Sequence, residues 1–84
     1  MFALENDPLA MKGLMLIGRS VKAARRAHHL SQRKLGSWAG IDQSAVSRLE
    51  NGLARGMKLR SIGRIVAIMP DVLNPATSLR EDDR

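Results

Sequence analysis

Residues 30–52, LSQRKLGSWAGIDQSAVSRLENG, restrict the possible folds of this chain more than any other stretch. Ser31 and Asp42 are good helix N-caps, and each precedes about two turns of chain with apolar residues at helical spacing. Gly40 stands between them, where a positive φ permits a tight reversal. Gly36 and Ala39 are small enough to let two helices cross at close range. Leu35, Ile41, Val46 and Leu49 supply the inner faces, and Gly52 stops the second helix. The result is two short helices joined by a glycine turn, the second presenting Gln43, Ser44, Ser47 and Arg48 outward.

The rest of the chain reads as further helix. Asp7-Pro8 is a helix start, although Gly13 and Gly18 predict a break or bend soon after it. Leu14, Ile17, Val21, Ala24 and His28 share one stripe, so a main helix from Ile17 should end near His28, in a turn through His29 and Leu30. Helices over 32–39 and 43–51 follow. A loop over 53–58 then leads to a helix from about Leu59 to Met69, with Leu59, Ile62, Ile65, Val66 and Met69 inward and Pro70 ending it. Val72 and Leu73 can still pack, whereas Pro75 and residues 77–84 read as surface or disordered chain. No stretch alternates in the way a strand requires. The expected fold is all-α, a compact bundle of four to five helices.

At 84 residues the chain supports one small core, aliphatic and methionine-rich because Phe2 and Trp38 are its only aromatic residues. Without cysteine, neither a disulfide framework nor a thiolate metal site is available. No apolar run, that at 14–17 included, is long enough for a membrane span. Residues 9–17 faintly resemble a signal-peptide core, but Glu5 and Asp7 precede them and no small-residue cleavage site follows. A cytoplasmic protein is expected.

Net charge is +6, and its placement says more than its sum. Between residues 17 and 64 lie eleven Lys and Arg against only Asp42 and Glu50, a net of +9, while acidic residues gather at both ends. A basic middle of this kind is the footprint of a polyanion-binding surface. Charges that merely solvate helix faces are the plain alternative. The polar outer face of helix 43–51 favours the polyanion, since one α-helix fits a DNA major groove.

The stretch from residue 17 to about 69 resembles the Cro/cI-type helix-turn-helix family, also called the xenobiotic-response-element family of bacterial and phage regulators. The resemblance runs through IGRSVKAARRA, LSQRKLGSWAG and IDQSAVSRLENG, and "LSQ…AGI…S.LENG" at these spacings is its most specific part. It implies a lambda-repressor-like DNA-binding domain, usually a homodimer on a two-fold symmetric site, and usually a repressor.

Carried over by position, the resemblance assigns base contacts to Gln43, Ser44, Ser47 and Arg48. A glutamine can bond adenine N6 and N7 together; Arg48 can either read guanine O6 and N7 or merely hold a phosphate. Gln32 matches a residue that touches a phosphate and braces the start of the recognition helix. Arg33, Asn51, Arg55 and Lys58 are the remaining backbone candidates, Lys58 near the minor groove. Arg25 and Glu50 match a structural ion pair between the first helix and the end of the recognition helix. Three positions depart from the family pattern. His29 replaces a usual glycine, Trp38 a usual charged residue, and Lys58 is a poor N-cap for the fourth helix.

Other chemistry finds little support. Adjacent His28 and His29 diverge on a helix and have no ligand partner at suitable spacing, so a helix-terminal role is favoured over a metal. Ser31, Ser37, Ser44 and Ser47 have no evident base and orienting acid, and no enzyme activity or cofactor is expected. Met11, Met15, Met57 and Met69 read as core filler. Trp38 either packs against the first or fourth helix or forms part of an exposed interface.

The chain therefore divides into a partly helical extension (1–14), a helix-turn-helix domain (15–70) and a tail (71–84). Its expected role is a sequence-specific regulator, a repressor, on double-stranded DNA. Two segments, 9–15 and 72–79, are candidate dimer surfaces. Two rival readings stand beside it. One is an antitoxin that autoregulates through this domain and binds a toxin protein through its extension. The other is a protein-interaction module without DNA binding. No membrane partner is implied.

Overall fold

The computed structural model describes residues 7–54 and 56–74, which form four α-helices and a final 3-10 turn with no strand among them. Helix α1 spans Pro8–Ala27, α2 Gln32–Ala39, α3 Gln43–Glu50 and α4 Leu59–Ile68, and the 3-10 turn spans Pro70–Leu73. The all-α architecture expected from the sequence is the one observed. Residues 1–6, Arg55 and 75–84, which include the polar tail and most of the 72–79 segment, lie outside the described residues.

Each boundary has a local cause. The Asp7 carboxylate accepts from Leu9 N at 2.9 Å, with Pro8 in the first turn, and so starts α1. Ser31 Oγ accepts from Lys34 N at 2.9 Å to start α2. At the end of α3, Leu53 N donates to Arg48 O and Gly52 N to Leu49 O, with Gly52 at φ 75°. That paired closure places a left-handed residue just past the helix. The same closure ends α1, where Leu30 N donates to Arg25 O and His29 N to Arg26 O. Here the left-handed residue is His29, at φ 57°. A histidine in a usual glycine's place thus adopts a backbone conformation that strains residues with a Cβ.

Helix α1 runs unbroken through Gly13 and Gly18, contrary to the expected break. Glycine lowers helix propensity locally, but Gly18 is buried where α1 crosses the end of α3, and a Cβ there would collide with the Leu49 carbonyl oxygen. What reads as a weak point is a packing requirement. Gly36 behaves as anticipated: a Cβ would stand 2.6 Å from Ile41 O, so the turn into α3 folds directly over α2.

Leu35, Leu49, Ile65, Met69, Val21 and Val46 are fully buried and come from α1, α2, α3, α4 and the residue just after it. Each large side chain removed from water contributes about 1.5–3 kcal/mol before entropy is counted. Ile17, Leu30, Ile41, Met57, Val66 and Ile68 pack around them. Helix α3 is held between α1 and α2, α4 rests on α2, and the 3-10 turn joins α1 to α4.

Several inward assignments are corrected. Leu59 is 81% exposed, because six residues place it about 120° around α4 from fully buried Ile65. Met15 is exposed even though its side chain lies over Gly52, and Met11 is only half-buried. His28 also faces solvent, since α1 ends before it. Val72 packs in the core while Leu73 does not. Pro70 opens the 3-10 turn; α4 has already ended at Ile68.

Candidate nucleic-acid interface

Helix α3 is a rod with two unlike sides. Val46 and Leu49 are completely buried, whereas Gln43, Ser44 and Arg48 are exposed and Ser47 is half-buried. All four proposed reading residues therefore lie on or beside the outward face. Side chains can be aimed only if the rod is fixed, and both of its ends are held.

At the start, Asp42 is a double cap. Its Oδ1 accepts from Ala45 N at 2.7 Å and from Ser44 Oγ at 2.9 Å. The Ala45 amide, then the Ser44 hydroxyl and, more weakly, Arg48 hold the Asp42 carboxyl below the usual carboxylate range. Gly40, at φ 75°, makes the reversal just before it, and a Cβ at Gly40 would lie 2.5 Å from the Arg64 guanidinium of α4.

At the other end, Glu50 is buried with both carboxylate oxygens hydrogen-bonded. Arg25 Nε donates to Glu50 Oε2 at 2.6 Å and Arg25 Nη2 to Oε1 at 3.0 Å. Arg25 Nη1 donates to Leu30 O at 2.8 Å, so one guanidinium ties α1, the following turn and α3 together. The Arg25–Glu50 pair anticipated from the sequence is present as a two-pronged bridge. Gln32 Nε2 donates to Glu50 Oε1 at 3.0 Å. Gln32 thus braces the end of α3, not its start, because the first residue of α2 lies beside the last residue of α3. Its second amide proton is not used in that bond.

Among the remaining candidates, Arg33 and Lys58 are exposed and Arg55 lies outside the described residues. Asn51 caps α3 and donates its amide to Ser47 O at 2.8 Å. As expected, Lys58 gives α4 no side-chain cap. Trp38 is 54% exposed, with Lys34 Nζ 5.9 Å from its ring centroid. Trp38 therefore does not pack into the core, and Lys34 covers part of its ring. His28 Nε2 lies 3.0 Å from Asp71 Oδ1 and joins the end of α1 to the 3-10 turn. No group of three potential ligands set to hold a metal occurs among the described residues.

Sequence reasoning missed Gly18, the Ser44–Asp42 bond and the Arg64 cover over Gly40. Only the second had a visible signal, a serine two residues after a capping aspartate.

No helix among the described residues is long and apolar enough to cross a membrane. No curated protein and no solved structure matches the chain. A family model described as helix-turn-helix matches residues 21–65, more than half of the chain, from the last two turns of α1 into α4. On that match, joined to an all-helical fold with a glycine turn before an outward polar helix, the chain belongs to the Cro/cI-type helix-turn-helix family of DNA-binding regulators.

Proposed function

We propose that this protein is a sequence-specific repressor that binds double-stranded DNA as a homodimer, with α3 in the major groove. The observation that carries the reading is the row Gln43, Ser44 and Arg48, exposed on a helix whose opposite side is fully buried and whose two ends are clamped. Gln43, Ser44, Ser47 and Arg48 contact bases. Gln32, Arg33, Asn51, Arg55 and Lys58 set the register on phosphates. One module of this size buries limited DNA surface, so useful specificity calls for two copies, with half-sites about 34 Å apart.

Selection of bound duplexes from a random pool tests this reading. A two-fold symmetric motif with that spacing supports it; retention of random sequences alone overturns base readout.

A second reading, an antitoxin that regulates its own gene, would use Leu9 and Leu16, 78% and 52% exposed on α1, as the contact face. A toxin protein or a second copy would cover them. Co-purification of a second small protein that protects Leu9 and Leu16 distinguishes toxin from dimer.

A further inference from the structure

The Ser44–Asp42 bond fixes more than the start of α3. An ionised carboxylate can only accept hydrogen bonds, so the proton between Ser44 Oγ and Asp42 Oδ1, 2.9 Å apart, belongs to Ser44. A serine hydroxyl has one proton and two lone pairs. Its single donor is therefore spent inside the protein, on a charged acceptor of the stronger kind. The same Asp42 oxygen also takes the Ala45 amide, so the carboxylate cannot swing away without uncapping α3. An aspartate carboxyl is already ionised at neutral pH, and these two bonds lower it further.

What Ser44 offers to solvent is thus lone pairs alone. We propose that Ser44 reads DNA purely as a hydrogen-bond acceptor, so that its partner is an exocyclic amino group, adenine N6 or cytosine N4. Guanine O6 and N7, adenine N7 and thymine O4 are all acceptors and are refused. Phosphate oxygens are acceptors too, which removes Ser44 from backbone contact. Turning the hydroxyl proton towards the DNA would strip Asp42 of one bond and leave its charge beside the acceptor just engaged. Gln43, next to it, has an exposed amide that both donates and accepts. The two neighbours therefore differ in kind: Gln43 can bridge a donor and an acceptor on one base, while Ser44 needs a donor. This inference rests on the major-groove placement of α3 proposed above.

The test uses the full chain and the duplex selected from a random pool. Each base of one half-site is replaced singly by an analogue lacking one group: unsubstituted purine for adenine (no N6 amino group), pyrimidin-2-one for cytosine (no N4 amino group), or a 7-deazapurine (no N7). Binding is measured for the parent protein and Ser44→Ala, with Ser44→Thr as the variant that keeps a hydroxyl. At one position the amino-group deletion should weaken the parent and Ser44→Thr about five- to tenfold more than it weakens Ser44→Ala, the Ser44→Ala loss being the base pair's own share. The 7-deaza substitutions should affect parent and Ser44→Ala alike. Coupling of Ser44 to N7 instead, or to no base at all, overturns the acceptor assignment while DNA reading by α3 survives. Failure to select any duplex overturns the DNA-reading proposal, and the acceptor assignment falls with it.

Discussion

Arg25 Nε and Glu50 Oε2 lie 2.6 Å apart, and that contact joins the last turn of α1 to the last residue of α3. Their side chains are only 13% and 2% exposed, so water screens the pair little. Glu50→Ala should destabilise the fold by about 3 kcal/mol, because a largely buried guanidinium loses its counterion. Arg25→Lys should recover only part of a matching loss, since an ammonium cannot form the two-pronged bridge. Urea denaturation checks both; a loss below about 0.5 kcal/mol for Glu50→Ala would place the pair with ordinary surface bridges.

Two glycines of one helix should respond in opposite directions. A Cβ at Gly18 meets the Leu49 carbonyl, whereas nothing lies within 4 Å of one at Gly13. Gly18→Ala should cost about 2 kcal/mol by forcing α1 away from α3. Gly13→Ala should instead stabilise by about 0.5–1 kcal/mol, through the lower chain entropy of the unfolded state. Thermal melts of the two variants decide it, and the same sign of shift for both would contradict the crossing described above.

His29 holds a left-handed conformation at φ 57° that closes α1. His29→Gly should raise stability by about 1 kcal/mol, as glycine adopts that conformation without a Cβ penalty. A lower melting temperature would mean that the imidazole contributes contacts outweighing the strain.

The Asp42 carboxyl is held below its ordinary value, chiefly by the Ala45 amide. A group depressed on folding binds its proton more readily in the unfolded chain, so its contribution is complete above the ordinary carboxylate range. As pH falls from that range through the lowered native value, the contribution disappears. Stability of the parent protein should therefore drop more steeply than that of Asp42→Asn across this acid window, and the two should differ by a constant amount near neutrality. Parallel curves through the acid window would show that the cap is not acting through its charge.

Much of this molecule is legible in its sequence because its signals are local. Ser31, Asp42, Gly40 and Gly52 mark helix ends by chemistry confined to a few neighbouring residues, and each sits where that chemistry puts it. The Arg25–Glu50 pair followed from the family resemblance, since twenty-five residues separate its members and no local rule connects them. Gly18 and Leu59 were misread for a common reason: both depend on where a second helix lies. Helix propensity cannot register a carbonyl approaching from α3, nor does apolar spacing reveal where the packed stripe of α4 ends. Gln32 differs in origin: the resemblance sets it at the start of α3, whereas its amide bonds Glu50 at the end. In the candidate site, types of residue were readable; the direction of hydrogen bonds, as between Ser44 and Asp42, required coordinates.

The central claim, that the outward face of α3 reads bases while flanking cations hold phosphates, is tested most directly by comparing Gln43→Ala with Arg33→Ala. Binding to the selected duplex and to random duplex is titrated across salt concentrations. Gln43→Ala should lose about 1–3 kcal/mol on the selected duplex, confined to one base position per half-site, with the salt slope unchanged. Arg33→Ala should weaken both duplexes alike and flatten the salt slope. Equal losses on selected and random duplex for Gln43→Ala would contradict the account.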